Sequence, residues 1–174
     1  LTQLEILPFE GATIGRQLYH EAKLMQAVAE MNNKKYKKAL QFIAEAKLWP
    51  ENLGVGKPYD VDIDERLENW LDYQCYINLG DPQKAQQSLE KIIAFNQKID
   101  NTVMNFLPAN QLVSAWAIEK TSSKAKAEEW LKNQASLYPS NKIVQWALLT
   151  YTKNKSDSLT EDEKDGEVRI IEKL

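Results

Sequence analysis

The chain has 174 residues, 25 acidic against 22 basic for a formal net charge of -3, and 43% of it is hydrophobic. The near balance of charge argues against a nucleic-acid binder, whose affinity rests on clustered Lys and Arg. The apolar content excludes a disordered chain, and no apolar run approaches the ~18 residues that cross a bilayer. Six Gly and six Pro leave few places for hairpin turns, so an all-helical chain of one domain, or at most two, is expected. Cys75 is the only cysteine; it cannot form an internal disulfide and leaves the redox compartment open. The chain begins at Leu1 without a basic stretch and apolar leader. It therefore reads as a soluble segment of a longer polypeptide, periplasmic or cytoplasmic according to what precedes it.

Residues 1–12 read as an extended N-terminal segment, and helical periodicity begins at Thr13. From Thr13 to Asn33, Leu18, Ala22, Met25 and Ala29 form one row, and Leu24, Val28 and Met31 an adjacent one. A second helix runs from Lys34 to Leu48, with Tyr36, Ala39, Leu40, Ile43 and Ala46 inward. So short a link makes the two an antiparallel hairpin, 13–49. The pattern repeats with a helix from Asp64 to Leu79, a Gly80-Asp81-Pro82 break and a helix from Gln83 to Phe95. Gly80 suits the left-handed residue after a helix, and Asp81-Pro82 a cap and first-turn proline. A third hairpin spans 109–138, broken at Thr121-Ser122-Ser123, and a closing helix covers 141–153. Residues 154–174 read as a polar, acidic linker and a short amphipathic tail that docks on the last helix or on another domain.

The second helices superpose through Ala39 and Ile43, Ala85 and Leu89, Ala127 and Leu131. This small residue followed four positions later by a large apolar one resembles the tetratricopeptide repeat. The resemblance implies a right-handed stack of antiparallel helix hairpins, an α-solenoid with a closing helix. The key alanines lie 46 and 42 residues apart, against a usual period of ~34, so each unit carries an insertion, Pro50–Ile63 and Asn96–Pro108. Ala27, Tyr73 and Ala115 replace the usual aromatic and glycine of the first helices, which makes the array divergent.

The first insertion carries Pro50-Glu51-Asn52-Leu53-Gly54-Val55-Gly56-Lys57-Pro58. With Leu7-Pro8-Phe9-Glu10-Gly11-Ala12, it resembles the C-terminal repeat region of large bacterial proteins of unknown function that also carry a β-sandwich module related to carbohydrate-active proteins. The resemblance covers roughly residues 7 to 95 and implies that this segment works beside another module. Gly54-Val55-Gly56-Lys57 is no phosphate loop, because Pro58 follows where Ser or Thr is needed. Asp60, Asp62 and Asp64 alternate like calcium ligands, but Glu65 and Leu71 stand where that loop needs Gly and Glu. Asp64 is expected instead to cap the following helix.

No catalytic, metal or cofactor set emerges. His20, the lone histidine, is expected on a solvated helix flank or against the N-terminal segment, and Cys75, amid apolar neighbours, as a small hydrophobe. Stacked hairpins leave a concave face lined by first helices, where Leu24, Val28, Trp70, Gln74, Leu112 and Trp116 occupy comparable positions. Asn52, Lys57, Tyr59, Asp60 and Asp62 are the loop residues placed to bind. The expected function is a non-catalytic interaction or scaffolding module whose partner is another domain of the same polypeptide or a separate protein or peptide. The alternative is an accessory part of a carbohydrate-processing enzyme that contributes these loop residues to a sugar site.

Overall fold

The computed structural model describes residues 13–98, 107–153 and 159–174, and every regular element among them is helical. Eight α-helices follow in order: α1 Thr13–Asn32, α2 Tyr36–Ala46, α3 Arg66–Asn78, α4 Pro82–Lys98, α5 Asn110–Thr121, α6 Lys124–Leu137, α7 Lys142–Lys153 and α8 Gly166–Ile171. Single 3-10 turns lie at Glu51–Leu53, Asp60–Asp62 and Glu161–Glu163. Among the described residues no helix is long and apolar enough to cross a membrane. The extended segment expected at 1–12 and the linker residues 154–158 lie outside the described residues.

Local chemistry sets the helix ends. Gly80 takes φ 74°, and the N–H of Asp81 donates to the carbonyl of Tyr76 at 2.9 Å, closing α3 with a left-handed residue. Asp81 Oδ1 then accepts from the Lys84 N–H, and Ser123 Oγ from that of Lys126, as hydroxyl and carboxylate caps do. Asn141 Oδ1 accepts from the N–H groups of both Ile143 and Val144 and starts α7.

Each consecutive pair of helices packs together, α1 on α2 through to α6 on α7, and α1 also touches α3, α3 touches α5 and α5 touches α7. One hydrophobic cluster draws on all eight helices. Ala39, Ala85 and Ala127 are all buried within 1% of complete exclusion, as expected of small residues where helices cross.

Two expectations are corrected. The buried stripe of α1 is Arg16, Tyr19, His20, Leu24, Ala27 and Val28, while Leu18 and Met25 face out. The stripe is rotated toward two polar residues because both find buried partners. The second correction concerns the tail, which docks on the first helix rather than the last. Helix α8 packs on α1, and Val168, Ile170 and Ile171 enter the common core. Residues 159–165 are built into the fold rather than being bare linker. Leu159 is buried, Thr160 and Glu163 form a reciprocal cap, and Glu163 pairs with Lys142 of α7. At Gly166 a Cβ would fall 2.0 Å from the carboxyl carbon of the Glu21 side chain, which reaches over from α1.

Candidate functional site

A cavity of about 550 Å³ opens where the first half of α1, the Gly-Pro loop, the start of α3, Leu107 and α8 converge. The loop is held in shape by its own chemistry. Pro50 is extended, Gly54 adopts φ 73°, and Leu53 between them is completely buried and anchors the loop in the core. Arg16 joins α1 to this loop. Its Nη2 donates to the Ala46 carbonyl at 2.8 Å, satisfying an acceptor at the end of α2, and its guanidinium lies 4.4 Å from the centre of the Trp49 ring.

Beside Arg16 sits a row of three titratable groups. His20 Nε2 is 2.7 Å from Glu68 Oε1 on α3, and His20 Nδ1 is 3.9 Å from Glu167 Oε1 on α8. All three residues are buried. Burial pushes the Glu167 carboxyl up to about 7, with the Asp165 charge adding to it. Burial works against the His20 imidazolium, but the Glu68 charge and hydrogen bond outweigh it and hold His20 above its ordinary value. Three residues of the lining each hold a polar atom that is shut off from solvent and has no hydrogen-bond partner: Arg16 Nε, Trp49 Nε1 and Glu68 Oε2.

Asp64 also lines the cavity but is committed elsewhere. It accepts the Arg66 N–H as a cap does, yet its main work is to clamp the Arg66 guanidinium at 2.8 Å through Nε and 2.6 Å through Nη2. Arg66 Nη1 donates to Ser114 Oγ and Gln111 Oε1, so the pair ties the loop and α3 to α5. Asp64 further accepts from the Leu107 N–H at 2.9 Å. Among the described residues no group of three His, Cys, Asp or Glu is placed to hold a metal ion.

The residues expected on an open groove are mostly core. Leu24, Val28 and Leu112 are no more than 3% exposed and belong to the hydrophobic cluster, as does Trp70. The odd-numbered helices touch one another, and α8 packs on α1. Only Gln74 and Trp116 keep part of their surface. With Trp70, whose ring centre is 5.4 Å from that of Trp116, they line a smaller cavity of about 270 Å³ that the C-terminal Leu174 also borders.

Of the loop residues, only Asp62 reaches the large cavity. Lys57 and Asp60 pair with each other at 2.6 Å in solvent, Tyr59 is 82% exposed, and Asn52 is half-buried with a partner of its own. Cys75 is fully buried, and burial pushes its thiol up to about 12, far from a nucleophile's range.

Sequence reasoning missed Arg16, His20, Glu68, Glu167 and Trp49. The available signal was positional: Arg16 and His20 continue the Leu24 row at four-residue spacing, which places two polar side chains on an apolar stripe. In comparisons with known proteins, no family model, no curated protein and no solved structure matches this chain.

Proposed function

We propose that this chain is a non-catalytic interaction module of a longer polypeptide, built as a right-handed stack of tetratricopeptide-like hairpins. It docks another domain of that polypeptide through the face that holds the large cavity. The contacts of α1 with α3, α3 with α5 and α5 with α7, beside those of each consecutive pair, support the stacked arrangement. Buried alanines at the three matching positions support it too.

One observation carries the interface. Among the described residues, six large apolar ones are more than half exposed: Leu137 at the end of α6, and Ile14, Leu18, Leu48, Tyr59 and Val61. The last five belong to the two segments that wall the cavity, the first half of α1 and the loop after α2. Exposed apolar residues gathered on two neighbouring segments are what a domain interface leaves open when its partner is absent. A binding role also fits the state of the reactive groups, since His20, Arg66 and Asp64 are already engaged by neighbours.

Lysine cross-linking of the longer polypeptide tests this reading. Links from Lys57, exposed on the loop, to residues outside the 174 are the expected result. If the external links leave instead from Lys38, Lys91 and Lys132 on α2, α4 and α6, the interface lies on the opposite helices and the assignment is wrong.

A further inference from the structure

Side-chain contacts fix the directions of the first helices. Arg16 near the start of α1 reaches the Ala46 carbonyl at the end of α2, and Lys38 near the start of α2 pairs with Glu30 near the end of α1. Lys47, just past the end of α2, donates to Asn69 near the start of α3. Arg66 and then Trp70 along α3 meet Ser114 and then Trp116 along α5. Helices α1, α3 and α5 therefore point the same way. The cavity lies where α1 and α3 start, and the links α1–α2, α3–α4 and α5–α6 lie side by side at the opposite end.

That opposite end is rich in lysine. Lys34, Lys35, Lys37 and Lys38 surround the first link and Lys120, Lys124 and Lys126 the third, and all of them are exposed. Lys35 and Lys38 share Glu30, whereas the other five make no ion pair among the described residues. The fold gains nothing from their placement. Lys37 and Lys38 stand in the first turn of α2 and Lys124 and Lys126 in that of α6, with no acidic residue in either turn, and cations there oppose the helix dipole. Between the two lysine groups, the end of α3 exposes two aliphatic side chains, Ile77 at 49% and Leu79 at 38%.

This combination narrows the partner. Packed helices stand roughly 8–10 Å apart, so lysines on the first and third links span about two such spacings, a width that a layer of anions fills and a small anion does not. Sequence-reading of nucleic acid rests chiefly on arginine, and residues 30–38, 76–84 and 119–126 contain none. Aliphatic side chains ringed by lysine match an anionic lipid surface, where the apolar groups enter the boundary of headgroups and acyl chains and the ammonium groups stay among the headgroup charges.

We infer that the end bearing the three links docks on a bilayer containing anionic lipid, with Ile77 and Leu79 inserted and the flanking lysines on the headgroups. Exposed Glu51, Asp60 and Asp62, on the loop at the cavity end, then face away from the bilayer. Domain docking as proposed above uses the opposite end, so either reading can fail without the other.

The probes are vesicles of phosphatidylcholine alone, vesicles of phosphatidylcholine with phosphatidylserine, and poly-L-glutamate. Co-sedimentation measures binding of the 174-residue chain, and an environment-sensitive fluorophore on Leu79→Cys or Tyr59→Cys reports which end inserts, since the native Cys75 is buried away from the label. Vesicles with phosphatidylserine are expected to bind at least about tenfold more strongly than those without, with a blue shift of the label at 79 and none at 59. Exchanging Lys34, Lys37, Lys124 and Lys126 together for Gln should weaken binding at least about tenfold without changing the circular dichroism. Ile77→Ser with Leu79→Ser should weaken it severalfold and leave its salt dependence in place. Equal binding to both kinds of vesicle, binding that survives the lysine exchange, or a label at 59 that responds as strongly as that at 79 overturns the inference. Binding to poly-L-glutamate but not to vesicles, or to none of the three probes, overturns it as well.

Discussion

Two buried arginines at neighbouring places in this molecule are treated in opposite ways. Arg66 is completely excluded from solvent, and each of its three guanidinium nitrogens has a partner: Asp64 for Nε and Nη2, Ser114 and Gln111 for Nη1, with the Leu107 carbonyl on Nη2 as well. Ser114 in turn donates to Asn96 Oδ1, and Gln111 to Gln134 Oε1, so the network runs from α3 through α4 and α5 to α6. Arg16 is also buried, yet its Nε has no partner, and the same is true of Glu68 Oε2 beside it. A buried charge whose hydrogen bonds are all made within the chain ties its helices together, while one left incomplete stabilises them less.

The sharpest way to break this comparison is to remove each arginine in turn. Arg66→Met leaves Asp64 buried without its counter-charge and is expected to cost about 3–5 kcal/mol. Arg16→Met loses one hydrogen bond to Ala46 and the stacking on Trp49, and should cost about 1–2 kcal/mol. Urea unfolding followed by circular dichroism measures both. Equal losses would show that Arg16 is as structural as Arg66.

Next in size is the packing of the even-numbered helices α4 and α6. Ala85 and Ala127 are buried at helix crossings, so Ala85→Leu and Ala127→Leu should each destabilise by roughly 1–3 kcal/mol through overpacking. Unchanged melting temperatures in both variants would sink the alignment of second helices on which the repeat reading rests.

Those crossings were legible because they depend on local pattern. Ala39, Ala85 and Ala127 recur with the same apolar follower, and Gly80-Asp81-Pro82 and Ser123 mark boundaries by chemistry that operates within a few residues. The cavity was not legible, because its members come from distant parts of the chain. Glu68 is 48 residues from His20, and Glu167 comes from a helix near the C-terminus. A helix of only six residues, α8, has no periodicity long enough to announce that it packs on α1. Leu24 and Val28, which look like groove residues in the sequence, lie in the core.

The smallest expected effect probes the ionisable row itself, which the Arg66 network has no counterpart for. Glu167 is faced by His20 and Glu21 of α1 and by Asp165 of its own segment. Its carboxyl, raised by burial and by Asp165 to about 7, binds a proton more tightly in the folded chain than in the unfolded one. Stability should therefore fall as pH rises from the ordinary glutamate range through about 7. His20 works in the same direction: its contribution is complete below the ordinary imidazole value and is lost as pH rises through its raised folded value. Glu167→Gln removes the first effect and leaves the second. The variant should match the parent near about pH 4 and exceed it at about pH 8, by on the order of 1 kcal/mol once the lost attraction to His20 is set against the relieved desolvation. Parallel melting curves for parent and variant across that range would mean that Glu167 is solvated in solution and that α8 does not close the cavity as described.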